Sequence, residues 1–228
     1  MCGIFGSNKF EKYKTLYEIN KDRGNFAYGS LYTYPDAGPL VQRAAVSDVP
    51  PSNVDITRCS FYLGHTQGPT SSQRDFNPET SHPFKYLNWY VAHNGVLSNG
   101  TVLAKKYNVD NPVDSAVIPV ILWNKFQELY DPDVWVWERE QRAIKLACEE
   151  LEGTFSCWIY NNKTNNLYLM RCGSTLFSNN KEFSSAQTDD MESLDDGGIY
   201  RLHIEDKDSV PSLEKVEQFK PKTPFFIL

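Results

Sequence analysis

Cys2 is the side chain in this sequence best equipped to act as a nucleophile, because of where it stands. It is followed by Gly3-Ile4-Phe5-Gly6, and removal of Met1 would leave a free α-amine on the same residue as the thiol. Methionine removal requires a small second residue, and cysteine is small. An α-amine titrates near pH 7.7–8.0, so it can take the thiol proton at neutral pH, directly or through one water (about one unit from neutrality). One residue then supplies both nucleophile and base. A buried small hydrophobe that happens to stand at position two is the competing reading of Met-Cys alone.

The rest of the composition narrows the setting for that chemistry. The 228 residues are enough to bury a sizeable core, as one large domain or two small ones. Net charge is −6, which offers no basic footprint for nucleic acid or an anionic membrane. The five cysteines (Cys2, Cys59, Cys148, Cys157, Cys172) are odd in number and contain no C-x-x-C pair, against both a disulfide framework and a zinc site. A reducing compartment, the cytoplasm, is the simplest expectation. Lys9, Glu11, Lys12 and Lys14 interrupt the N-terminal region, so no apolar stretch of signal-peptide type is present there.

The elements that would position the thiol can be read from the apolar pattern. Short strands are expected at 30–34, 40–46, 60–64, 89–93, 155–160, 167–171, 175–177 and 199–204, each bounded by Gly, Pro, Asn or Asp. Several lack polar alternation, which suits strands covered on both faces. Tyr13, Leu16 and Tyr17 share a helix face that Gly24 would stop, and Val102, Leu103 and Tyr107 mark a short helix. Val117, Ile118, Ile121, Leu122, Phe126 and Leu129 give the strongest helical period, ended by Asp131-Pro132, and a fourth helix is expected from about Trp137 to Leu151. The polar stretch 184–198 reads as a loop. Strands, then helices, then strands again imply sheets sandwiched between helical layers, in one domain over 1–228.

Five segments then stand in an informative order. They are Arg23-Gly24-Asn25-Phe26-Ala27-Tyr28-Gly29, Gly64-His65-Thr66-Gln67-Gly68-Pro69-Thr70, Ser81-His82-Pro83-Phe84, His93-Asn94-Gly95 and Asp114-Ser115. With Cys2-Gly3-Ile4-Phe5-Gly6 they resemble the class II glutamine amidotransferases, the family of the glutaminase domains of amidophosphoribosyltransferase, glucosamine-6-phosphate synthase and asparagine synthetase. Gly153-Thr154-Phe155, Leu167–Arg171 and Gly198–Leu202 extend the resemblance along the whole chain. It implies an α+β fold, the four-layer αββα sandwich of two mainly antiparallel sheets between helical layers that N-terminal nucleophile hydrolases share.

The resemblance also implies roles. Cys2 would attack the glutamine carboxamide and form a γ-glutamyl thioester. The Asn94 side-chain amide and the Gly95 backbone N–H would form the oxyanion hole, where one donor is worth about 2.7–4 kcal/mol. Asn-Gly alone reads equally well as a hairpin turn. Asp114 would hold the substrate α-ammonium, or cap a helix N-terminus. Thr70 would contact the α-carboxylate end, Arg23 would hold the backbone near Cys2, and His82 would flank the glutamine pocket. Competing readings are turn chemistry after Pro69 for Thr70, an exposed helix-terminal cation for Arg23, and a satisfied structural histidine for His82.

Two departures bear on the substrate. Gln67 stands where many relatives carry the Arg of Gly-His-x-Arg, and a neutral amide does not replace a bidentate ion pair with a carboxylate; Arg74 is a candidate substitute. Asn25 follows Arg23-Gly24 where relatives often have an acidic residue. The expectation is glutamine hydrolysis to glutamate and ammonia without metal or organic cofactor. The chain carries no synthase domain, so ammonia would pass to a separate synthase subunit, for which the tail 218–228 is a docking candidate unless it packs on its own domain. A hydrolase of another γ-glutamyl or related amide, and a non-catalytic binding module retaining the fold, are the alternatives.

Overall fold

The computed structural model describes residues 2–45, 55–68, 76–204 and 208–222. In chain order the first half contains β1 (Gly3–Ser7), α1 (Phe10–Lys21), β2 (Ala27–Thr33), β3 (Leu40–Ala44), β4 (Phe61–Gln67), β5 (Phe84–Tyr86) and β6 (Trp89–Leu97). Then come α2 (Gly100–Tyr107), a 3-10 turn (Asp114–Val117), α3 (Ile118–Glu128) and α4 (Val136–Glu150). The chain returns to strands with β7 (Gly153–Asn161), β8 (Asn166–Cys172), β9 (Phe177–Ser178), β10 (Phe183–Ser184), β11 (Glu192–Ser193), β12 (Gly198–His203) and β13 (Ser212–Gln218).

These strands make two antiparallel sheets, one ordered β11-β9-β10-β1-β4-β2-β3 and the other β13-β12-β8-β7-β6-β5. α1 covers the outer face of the first sheet with Tyr13, Leu16, Tyr17 and Asn20, which fall at helical spacing and are buried. On the outer face of the second sheet, α3 and α4 bury Ile118, Ile121, Leu122, Ile144, Ala147 and Cys148. Between the sheets, Ile4, Leu31, Leu63, Ala92, Trp158 and Leu169 form the third apolar layer. The fold is therefore α+β with four layers. β2, β4, β6 and β7 are buried along most of their length on both faces, which is why their sequences lack alternation.

Several sequence expectations shift. β1 lies in the middle of the first sheet, paired with both β4 and β10; its Gly-rich five residues have too little β-branched character to announce a strand. β6 continues through Leu97, with Asn94 opposite Ser156 and Gly95 opposite Phe155, so Asn94-Gly95 is mid-strand and the hairpin-turn reading is overturned. Asp114 begins a 3-10 turn capped by Val113 and not the long helix itself, so it is no helix N-cap. Of the residues that mark the short helix α2, Leu103 is buried while Val102 is exposed. The stretch 184–198 is not all loop, since it contains β11. Thr70, Arg74 and the apolar end of the tail lie outside the described residues.

Candidate active site

β1 begins at the point where the end of α1, the end of β4 and the segment after β10 converge. Cys2 there is 6% exposed, and its Sγ lies 3.8 Å from the carbonyl oxygen of Gly68, just past the end of β4. Gly24 makes the approach feasible: a Cβ at Gly24 would stand 2.4 Å from backbone atoms of Gln67 and Gly68. The chain leaving α1 thus passes close against the end of β4, and Phe26 N–H donates to Gln67 O at 3.0 Å. Arg23 Nε donates to the carbonyl oxygen of Cys2 at 3.1 Å, and its Nη2 to Thr175 Oγ1 at 3.1 Å. Burial lowers the Arg23 pKa, with the charge of Cys2 opposing the shift.

Thr175 connects this end to the second sheet. Its Oγ1 donates to Ser185 O at 2.8 Å, and its carbonyl accepts from Ser156 Oγ at 3.2 Å. Ser185 is the junction. Its Oγ accepts from Ile4 N–H at 3.1 Å and from Asn94 Nδ2 at 3.1 Å, while its own N–H donates to Ile4 O at 2.8 Å. Asn94 reaches Ser156 Oγ more weakly, at 3.5 Å. Cys2, Arg23 and Asn94, from three separate parts of the chain, are thereby joined in one network, buried at Cys2, Asn94 and Ser185 and half-buried at Arg23 and Thr175. The other four thiols are in different settings. Burial pushes Cys59 up to about 12 and Cys172 to about 11, and raises Cys148 and Cys157 well above the usual value. All four are protonated at neutral pH and poor nucleophiles.

Gly95 adopts φ +147°, and a Cβ there would stand 2.0 Å from Thr154 O, so backbone conformation and space both require glycine. Beside it, Asp114 Oδ2 accepts Leu97 N–H at 2.8 Å, and Oδ1 lies 3.2 Å from Ser115 Oγ. Ser115 Oγ is also 2.8 Å from His93 Nδ1, and His93 Nε2 is 3.4 Å from Thr154 O. Burial lowers the His93 pKa, partly offset by the Asp114 charge, so this ring is neutral at pH 7. A hydroxyl has one proton: if Nε2–H faces the Thr154 carbonyl, Ser115 donates to Nδ1 and cannot also donate to Asp114. These contacts tie Asp114 to β6 and not to the Cys2 network.

Gln67 is buried at the end of β4, with Nε2 3.4 Å from Thr80 O. His82 is buried, and its ring centroid lies 3.9 Å from that of His65 and 4.7 Å from that of Phe84. His65 stands opposite Ile4 in the β1–β4 register. Gln67 and His82 therefore border the Cys2 end of the inter-sheet space.

No family model matches the chain. A 7-cyano-7-deazaguanine synthase 2 of Sulfurisphaera tokodaii is 26% identical over 190 residues, covering 74% of this chain and 38% of the synthase. The chain therefore spans well under half the length of that curated relative. Among solved structures, the glutamine phosphoribosylpyrophosphate amidotransferase from B. subtilis, complexed with ADP and GMP, superposes with a TM-score of 0.66 at 15% identity. That match covers 94% of this chain and 49% of the amidotransferase. A predicted glutamine amidotransferase from Pseudomonas aeruginosa PA01 gives a TM-score of 0.50 at 14% identity, over 87% of this chain and 92% of the other. The chain shares the four-layer sandwich fold of these amidotransferases. Within that fold, sequence reasoning missed Ser156, Thr175 and Ser185. Their signal is faint, since a lone Ser or Thr near a strand end looks like ordinary turn chemistry.

Proposed function

We propose that the chain hydrolyses the side-chain amide of glutamine through a thioester on Cys2. The observation that carries this reading is Ser185 Oγ, which receives a hydrogen bond from β1 at Ile4 and another from Asn94 of the opposite sheet. That junction brings the start of β1 and an amide donor to the same end of the inter-sheet space.

After removal of Met1, the α-amine of Cys2 accepts the thiol proton as sulfur attacks the carboxamide carbon. Negative charge develops on the carbonyl oxygen, where Asn94 Nδ2 and Gly95 N–H are the proposed donors. Collapse breaks the C–N bond, and the amine returns its proton to the departing ammonia. The same amine then takes a proton from the water that cleaves the thioester, giving glutamate and free thiol. Arg23 holds the Cys2 carbonyl, Asp114 takes the substrate ammonium, Gln67 and His82 line the glutamine end, and Thr70 is the proposed contact for the α-carboxylate. The similarity to a synthase named for a cyano product suggests the nitrogen acceptor. A nitrile nitrogen has to be supplied, and ammonia is a direct source. A synthase part is the proposed consumer of that ammonia.

Gln67 favours a second reading, a hydrolase of another γ-glutamyl or related amide. A buried neutral amide at this strand end offers a carboxylate no ion pair. Ammonia and glutamate release by the purified chain, with glutamine compared against γ-glutamyl amides, tests both. Release from glutamine that vanishes in Cys2→Ala supports the first reading. Release only from the other amides supports the second, and no turnover of either with Met1 removed defeats both.

A further inference from the structure

A cavity of about 530 Å³ opens on the helical side of the second sheet, between α3, the first turns of α4 and the β7–β8 turn. It is distinct from the Cys2 site: its wall residue Trp89 is five strand residues from Asn94, about 17 Å. Its volume suits a small molecule, for which pockets of roughly 300–1,000 Å³ are usual. Trp89, Trp123, Phe126 and Tyr130 supply aromatic wall. The charged residues that line it are Arg139 and Lys163, with no acid among the lining residues, although the chain as a whole carries −6.

Arg139 is 7% exposed, yet among the described residues no carboxylate pairs with it. Its guanidinium carbon lies 4.3 Å from the Phe126 ring centroid and 5.0 Å from that of Tyr130. Nη2 donates to Phe126 O at 3.1 Å, while Nε is buried without a partner. The adjacent acid is unavailable: the Glu140 carboxylate is bonded by Asn161, Thr164, Asn166 and Tyr168. Two ring faces and one carbonyl compensate this buried cation only in part, so an anion entering here would gain more than at the surface. Trp89 Nε1, also on a lining residue, is a second buried donor without a partner. The wall includes Val136 at the start of α4, where the helix dipole also favours negative charge.

We propose that this cavity binds a small planar aromatic carboxylate, the ring against the aromatic wall and the carboxylate on Arg139. A planar guanidinium matches a carboxylate with two parallel hydrogen bonds, and aromatic faces match a flat ring. Lys163, exposed at the β7–β8 turn, adds charge at the mouth.

Benzoate and its neutral isostere benzamide test this by titration calorimetry on the full chain. Benzoate binds at least about tenfold tighter than benzamide, and acetate, which lacks the ring, binds more weakly than benzoate. Arg139→Gln, with folding checked by circular dichroism, loses the preference for benzoate. If that variant does not fold, Tyr130→Ala and Lys163→Ala, both at exposed positions, carry the test. The first weakens benzoate and benzamide alike, and the second weakens benzoate selectively. Equal affinity for the two probes, no heat with benzoate, a folded Arg139→Gln that keeps the preference, or unchanged binding in both surface variants overturns the proposal. Cys2→Ala binds benzoate as the parent does.

Discussion

A thiol is a useful nucleophile only where its proton can leave, and four of the five cysteines are held protonated by burial. Cys2 differs in carrying, once Met1 is gone, its own base. Three predictions belong to single residues. Glutamine hydrolysis by the Met-less chain should fall as pH drops below about 7, because the protonated amine cannot accept the thiol proton; a pH profile of kcat/KM checks this. Asn94→Ala should lower kcat by about 10²–10³-fold with KM little changed, if its amide meets charge only in the transition state. Steady-state kinetics separate the two constants. Gln67→Arg should lower the KM for glutamine by supplying the missing cation, and an unchanged or higher KM in a folded variant would count against placing the α-carboxylate at this strand end. Function at this scale was legible where an unusual position or a multi-residue pattern existed. Ser185 and Thr175 were invisible because what matters is a contact across about 180 residues in one case and 150 in the other, which no local pattern records.

Elements hold these groups at fixed angles, and two of them have consequences that can be measured. Gly95 lets β6 pass Thr154 O with its left-handed φ, so Gly95→Ala should destabilise the chain by at least about 1–3 kcal/mol from backbone conformation alone, read as a lower urea midpoint. His93 binds β6 to the 3-10 turn as a neutral ring whose pKa lies below its usual value of about 6.5. As pH falls through that usual value, the unfolded chain takes up the proton before the folded one does. Stability should therefore hold above about pH 6.5 and decline below it, and His93→Gln should flatten the decline. Glu150, at the end of α4, is bonded by Lys106, Tyr107 and Lys125. Burial alone would raise its carboxyl, but these partners hold it at about 2. Its contribution is present above about pH 4.5 and lost towards pH 2. The amphipathic helices were legible because each buries one stripe, as Tyr13, Leu16, Tyr17 and Asn20 do. β1, β10 and β11 were not, since two of them are two residues long and the first is rich in glycine. β13 escaped for a different reason: none of its residues is fully buried, and its charges resemble a loop.

At the scale of the whole molecule, four layers create a buried seam between two sheets, and the seam is where β1 and β6 face each other. The layered architecture follows from the order of strands, helices and strands in the sequence, because each apolar face must be covered by another. The position of Cys2 within that architecture does not follow so simply. It depends on β1 lying between β4 and β10, and β10 comes from a segment almost 180 residues later in the chain. The central claim is that this seam presents one reactive thiol to a glutamine-shaped substrate. It is tested most directly by intact-mass measurement of the chain before and after exposure to a diazo-ketone analogue of glutamine. A single adduct on a chain lacking Met1, mapped to Cys2 and absent from Cys2→Ala, is the expected result. A Met-less chain that stays unlabelled, or an adduct on Cys59, Cys148, Cys157 or Cys172 instead, would contradict it.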